Sequence, residues 1–211
     1  AARLEGSSPS PPTITGIRLR MTNFKREKII KILRSDGVGV LPTDTIYGLV
    51  GSAFSKKAVL RIYELKARNP KKPMIILISS LDDLKLFGIK PTIRIKSFLT
   101  KLWPDKVSIV LPCPDKKFSY LHCGVKTLAF RLPKPKWLRS LVRKTGPLVA
   151  PSANPEKLTP AETIQMAKKY FGTKIDFYLN KGKLISKPST LIRLRNGRIE
   201  LLRAGTVKIE Q

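Results

Sequence analysis

Between residues 38 and 78 the chain runs Val38-Gly39-Val40-Leu41-Pro42, then a stretch opened by Ser55 with Val59, Ile62, Tyr63 and Leu65 on one face, then Met74-Ile75-Ile76-Leu77-Ile78. The two outer runs are short and apolar throughout, which reads as buried strand. Pro42 stops the first, because it has no N–H to give to a ladder. The middle stretch repeats its apolar residues at helical spacing behind a hydroxyl that can cap it. Strand, helix, strand is the repeating unit of an α/β sheet.

The same alternation extends outward. Asn23 can cap a helix carrying Phe24, Ile29, Ile30 and Leu33, ending near Asp36-Gly37. Helical patches at 80–87 and 91–102 lead to buried strands at 107–111, 127–132 and 148–150. Thr159-Pro160-Ala161-Glu162 predicts a helix start, with a capping hydroxyl, Pro at the first position and Glu three residues on. Residues 191–194 and 199–202 flank Asn196-Gly197, a type I′ hairpin signal. The expectation is a single α/β domain over residues 23–207, with a twisted sheet, mixed parallel and antiparallel, flanked by helices. Residues 1–22, with Ser7-Ser8-Pro9-Ser10-Pro11-Pro12, are expected to be a flexible tail. They show neither the apolar run of a signal peptide nor the amphipathic period of a transit peptide. Residues 208–211 are expected to be a short C-terminal tail.

Composition narrows the class. The 211 residues suit one domain, and 42% apolar residues suffice for a core, which excludes wholesale disorder. Lys and Arg number 42 against 14 Asp and Glu, a formal charge of +28. So positive a surface fits a polyanionic partner, nucleic acid or a phosphorylated small molecule, and excludes an acidic calcium buffer. Two cysteines, Cys113 and Cys123, exclude a disulfide scaffold and fit a reducing compartment. No apolar run approaches the ~20 residues of a membrane span. A cytoplasmic protein with no membrane partner is expected.

The common phosphate signatures are missing: there is no Gly-x-x-x-x-Gly-Lys-Ser/Thr loop and no Gly-x-Gly-x-x-Gly after a strand. Cys113, His122 and Cys123 lack a fourth ligand, so no metal site is expected. His122, the one histidine, follows no nucleophile elbow, which excludes a Ser-His-Asp triad. Four loops remain. Leu41-Pro42-Thr43-Asp44-Thr45-Ile46-Tyr47-Gly48-Leu49 sets two hydroxyls around a carboxylate at a strand end, where α/β sheets place ligands. It also reads as a turn in which Asp44 caps a helix. Lys66, Arg68 and Lys72 stand where three cations can converge on a polyphosphate. They read equally as a solvated basic loop at a helix C-terminus. Ser152 and Asn154 follow the strand at 148–150 with neutral polar groups. Arg131 interrupts an apolar strand, where a charge needs a counter-ion or a ligand; no acidic partner for it is evident nearby.

Taken in order, Pro-Thr-Asp-Thr-x-Tyr-Gly-Leu, Lys66-x-Arg68-x-x-x-Lys72-Pro73, Trp103-Pro104, Phe130-Arg131-x-Pro133, Ser152-x-Asn154, Ser189-Thr190 and Leu202-Arg203-x-Gly205 resemble the YrdC family of threonylcarbamoyl-adenylate synthases, called TsaC in bacteria. The resemblance spans residues 23–207 and is to the short, single-domain form. Two departures stand out. Asn69-Pro70 replaces an earlier proline, and Pro155-Glu156 with Thr159-Pro160-Ala161 replaces the family's usual Ser-Gly and Ser-Pro-Thr.

The resemblance implies a YrdC-like fold with a basic concave cleft. It implies synthesis of threonylcarbamoyl-AMP and pyrophosphate from L-threonine, bicarbonate and ATP, with Mg2+ accompanying the nucleotide, for threonylcarbamoyladenosine formation in tRNA. Lys66 and Arg68 would be catalytic. Arg68, Lys72, Thr127, Asn154 and Arg203 would hold ATP, and Thr45, Arg131, Ser152 and Ser189 would hold threonine. A transferase complex that modifies tRNA would be the partner, with direct binding of tRNA as a further expectation. The alternative is an RNA-binding protein of the same fold without catalysis. The charge favours it, and 7% aromatic residues give it few stacking platforms.

Overall fold

Neighbouring residues of each central strand enter opposite cores, as an alternating pleat requires. Val40, Leu49, Ile76 and Val149 belong to one buried cluster, and Leu41, Val50, Leu77 and Leu148 belong to another. In the computed structural model, which describes residues 23–69, 72–195 and 198–209, both clusters lie against a single sheet.

The first helix, α1 (Asn23–Arg34), leads into β1 (Gly39–Pro42) and β2 (Tyr47–Ser52), followed by α2 (Lys56–Leu65) and β3 (Ile75–Leu77). A 3-10 segment at Leu81–Phe87 precedes α3 (Ile93–Leu102) and β4 (Val107–Pro112). The short α4 (Ser119–His122), β5 (Thr127–Arg131), α5 (Lys136–Thr145) and β6 (Leu148–Val149) come next. The described chain closes with α6 (Ile164–Phe171), β7 (Phe177–Tyr178), β8 (Thr190–Arg195) and β9 (Arg198–Arg203). The strand order is β7-β1-β2-β6-β3-β5-β4-β8-β9. The pairs β1/β7, β3/β5 and β4/β8 are parallel and the remainder antiparallel, so the sheet is mixed, as expected.

Helices cover the two faces unequally. α1 and α5 bury Ile29, Ile30, Leu33, Leu138, Leu141 and Val142 on one face, over β1, β2, β6 and the end of β3. α2, α3, α4 and α6 contribute to the larger cluster on the other face. The α1/α5 face therefore stays open over the start of β3 and over β5 and β8.

Several local expectations hold for visible reasons. Ser55 caps α2, its side chain accepting the Ala58 N–H at 3.0 Å. The strands at 107–111, 127–132 and 148–150 lie within a residue or two of their expected bounds. Others are corrected. β1 ends at Pro42, as expected, with Pro42 its last paired residue opposite Tyr47, but Tyr47–Ser52, not expected as a strand, forms β2 despite two glycines. The helix expected from Thr159 starts at Ile164, because Thr163 accepts the Met166 N–H at 3.2 Å while Ala161 N–H is committed to Ala153 O at 3.1 Å. α5 was not expected at all. The tail expected at residues 1–22 and the turn Asn196-Gly197 lie outside the described residues, as do residues 210 and 211. Val207 and Ile209 rest against the larger core.

Candidate active site

The open part of the sheet carries a cavity of about 210 Å³. Its floor is Ile75, Ala129 and Leu191, from β3, β5 and β8. Ala129 pairs with Ile75, and two residues on, Arg131 pairs with Leu77, so all four side chains share the α1/α5 face. Loops build the walls: Thr43, Thr45 and Ile46 from the β1–β2 turn, Arg68 and Pro73 after α2, Pro151 and Ser152 after β6, Pro188 and Ser189 before β8, and Arg203 ending β9. The walls include the C-terminal ends of β1 and β6. The mixed sheet adds the N-terminal end of β3, which a purely parallel sheet would place elsewhere.

Backbone pairing locks the loops together. Leu49 N–H donates to Pro151 O and Ala153 N–H to Tyr47 O, both at 2.9 Å. The β1–β2 turn closes on itself, Thr43 donating its hydroxyl to Ile46 O at 2.6 Å, with Thr45 Oγ1 3.1 Å from Thr43 Oγ1. Tyr47 is fully buried and its hydroxyl, donating to Gly182 O at 2.8 Å, fastens the segment before Ser189 to this turn. A Cβ at Gly205 would come within 2.4 Å of the backbone at Pro188, Ser189 and Thr190. That close approach is what lets Arg203 donate to Ser189 O at 2.9 Å, while Ser189 Oγ lies 2.8 Å from Ser108 Oγ.

Of the residues expected in the site, Thr45, Arg68, Arg131, Ser152, Ser189 and Arg203 meet on this cavity. Lys66, Lys72, Thr127 and Asn154 are not part of its wall. Lys66 is 2% exposed and donates its ammonium to Ser152 O, at 2.6 Å, and to Asn154 O. Burial, with Arg68 adding and Glu156 opposing, pushes its pKa down to about 8. Asn154 turns its amide into its own loop, donating to Pro155 O at 2.8 Å and Leu158 O at 2.6 Å. Lys72 pairs with Glu156 at 2.6 Å. Thr127 shares the face of Ala129 and Arg131, one pleat farther out.

Arg131 has an acidic partner after all. Asp44, which the sequence offered either as a carboxylate in a ligand loop or as a helix cap, caps no described helix; its Oδ1 lies 3.2 Å from Arg131 Nη2, the side chains 1% and 4% exposed. Both Asp44 oxygens and Arg131 Nε still lack hydrogen-bond partners. Burial lowers the pKa of Arg131, with Asp44 opposing. Burial also lowers that of Arg203, and Arg131 and Arg68 lower it further, so both other guanidiniums are close enough to act on Arg203. Clustered cations of this kind are suited to a ligand with several negative charges.

The model of Sua5, YciO and YrdC proteins, described as telomere recombination, matches residues 31–205. The chain belongs to the Sua5/YciO/YrdC family. It is 33% identical over 185 residues to the threonylcarbamoyl-AMP synthase of Bacillus subtilis, covering 85% of this chain and 53% of that protein. A Pyrococcus abyssi protein of the same name is 29% identical over 201 residues, 94% of this chain and 59% of that one. The chain thus spans little more than half the length of these relatives. The crystal structure of P. abyssi Sua5 complexed with L-threonine superposes with a TM-score of 0.81 at 28% identity, over 88% of this chain and 55% of that one.

In this Sua5/YciO/YrdC domain the sequence reading placed Asp44 in a candidate ligand loop but missed its pairing with Arg131, and it missed Glu156 as a site element altogether. Each pairs with a cation more than 80 positions away, so no local pattern points to it. Among the described residues, no three His, Cys, Asp or Glu side chains gather where they could hold a metal ion, and no helix is long and apolar enough to cross a membrane.

Proposed function

We propose that this chain is a threonylcarbamoyl-AMP synthase, joining L-threonine, bicarbonate and ATP with release of pyrophosphate. The observation that carries the reading is the convergence of Arg68, Arg131 and Arg203 with Thr45, Ser152 and Ser189 on one cavity, in a family whose members bear that name. Threonine's amine captures bicarbonate as a carbamate, whose carboxylate attacks the α-phosphorus in line while pyrophosphate departs. Such a step calls for positioning and neutralisation of charge and needs no covalent nucleophile.

The side chains divide that work. Arg68 and Arg203 face the phosphates, where guanidinium forks match paired oxygens. Arg131, balanced by Asp44, takes the threonine carboxylate, and the hydroxyls of Thr45, Ser152 and Ser189 orient the amino acid. Lys66 and Asn154 are positioning residues: they hold the loop that presents Ser152. Lys72 and Thr127 flank the nucleotide from the rim. Among the described residues no cluster of acidic ligands offers itself for Mg2+, which would enter on ATP, held by phosphate oxygens and water.

A transferase complex would then pass the threonylcarbamoyl group to tRNA in the cytoplasm, a setting that suits free Cys113 and Cys123. Direct contact of the basic surface with tRNA belongs to the same reading. Mass-spectrometric detection of the adenylate from ATP, threonine and bicarbonate tests it. Salt-sensitive RNA binding without any adenylate would favour a binding protein of this fold instead.

A further inference from the structure

The Glu156 carboxylate takes two donors from the loop that carries Arg68. One oxygen accepts the Asn69 backbone N–H at 2.8 Å and the other accepts Lys72 Nζ at 2.6 Å. The Glu156 backbone N–H donates in turn to Lys66 O at 2.6 Å. Arg68 adjoins this cluster, lining the cavity while donating to Lys72 O and Pro73 O, each at 3.1 Å. A backbone amide, an ammonium and a neighbouring guanidinium around a pair of anionic oxygens form the usual setting for a phosphate group. Here the oxygens belong to the protein. The bond from Lys72, then that from Asn69, holds the Glu156 carboxyl below its ordinary range, so it is charged at neutral pH. Its side chain keeps 23% of its surface exposed, and Lys72 keeps 57%, so an incoming anion can reach the pair.

We infer that the Asn69 amide, Lys72 and Arg68 form a phosphate-binding site that Glu156 fills in the free chain, and that a nucleotide phosphate binds there by displacing it. The inference rests on the proposed synthase reading for the identity of the nucleotide; the anion site rests on the contacts alone. The same donors cannot serve both anions. A tethered carboxylate acts as an internal competitor, and the apparent affinity for phosphate falls by the fraction of molecules in which the site is free. Exposed ion pairs are individually weak, so the competition is worth about threefold to tenfold in affinity. In the free chain the carboxylate also offsets the repulsion among Lys66, Arg68 and Lys72.

The test uses the full chain and Glu156→Gln, which keeps the side-chain length and an acceptor for Asn69 N–H but removes the charge. Calorimetry with ATP and with inorganic tripolyphosphate, in the absence of threonine, should show both binding about threefold to tenfold tighter than to the parent. Glu156→Ala should shift in the same direction, and Lys72→Ala added to Glu156→Gln should abolish the gain. Unchanged or weaker binding of both probes would overturn the inference and make Glu156 a strap that shapes the loop. An adenylate assay on the same samples keeps the two readings apart: tighter tripolyphosphate binding with no threonine-dependent adenylate from the parent would sustain the anion site and remove the synthase.

Discussion

Asp44 Oδ1 and Arg131 Nη2 lie 3.2 Å apart, joining the β1–β2 turn to the end of β5 in an almost fully buried pair. Two charges so placed have given up hydration, and each is tolerable only while the other remains. Asp44→Asn and Arg131→Met should therefore each cost about 3–5 kcal/mol, and the double variant less than the sum. Urea unfolding of the four proteins measures this. Additive losses would mean that the two residues are not a pair in solution. Arg131→Lys keeps the charge but loses the fork, so the KM for threonine should rise far more than that for ATP.

Lys66 and Arg68 are two positions apart and should fail in different ways. Arg68 lines the cavity, so Arg68→Ala should lower kcat about 10²-fold while leaving unfolding nearly unchanged. Lys66 holds two backbone carbonyls behind the wall, so Lys66→Met should strand them and cost about 2–4 kcal/mol. Its kinetic effect should fall on the KM for threonine, through Ser152. Identical outcomes in the two variants would contradict the division of roles.

Lys66 also carries a pH signature. Its folded pKa, about 8, lies below its ordinary value near 10.5, because burial disfavours the charged form. The unfolded chain therefore binds this proton more tightly. Below about pH 8 the folded chain carries the full penalty of the buried charge; the penalty is relieved as the pH rises and is gone above the ordinary value, a gain in stability of about 3 kcal/mol at most. The difference in unfolding free energy between the parent and Lys66→Met, followed from pH 7 to 10, should shift in favour of the parent. A flat difference would show that Lys66 is not buried as a charge.

Strands such as Met74–Ile78 and Val107–Leu111 were legible because most of both faces is buried, which leaves apolar runs broken only by Ser108. β2 was not, since Gly48 and Gly51 weaken the strand signal, although their small size is what admits Thr43 and Ala58 beside the backbone. At the start of α6 the capping signal occurs twice, at Thr159 and at Thr163, and only packing chose the second: Pro160 is needed at the cavity wall. The cavity residues were legible where a polar side chain ends a strand or follows one, as with Arg131 and Ser152. The partners of Arg131 and Lys72 were not, because ion pairing across loops leaves no spacing to read.

Pyrophosphate release from ATP by the purified chain, with threonine and bicarbonate supplied separately and together, tests the synthase activity most directly. Release is expected only when both are present, matched by an equal amount of threonylcarbamoyl-AMP. Equal release from ATP alone, or none under any condition, would contradict it.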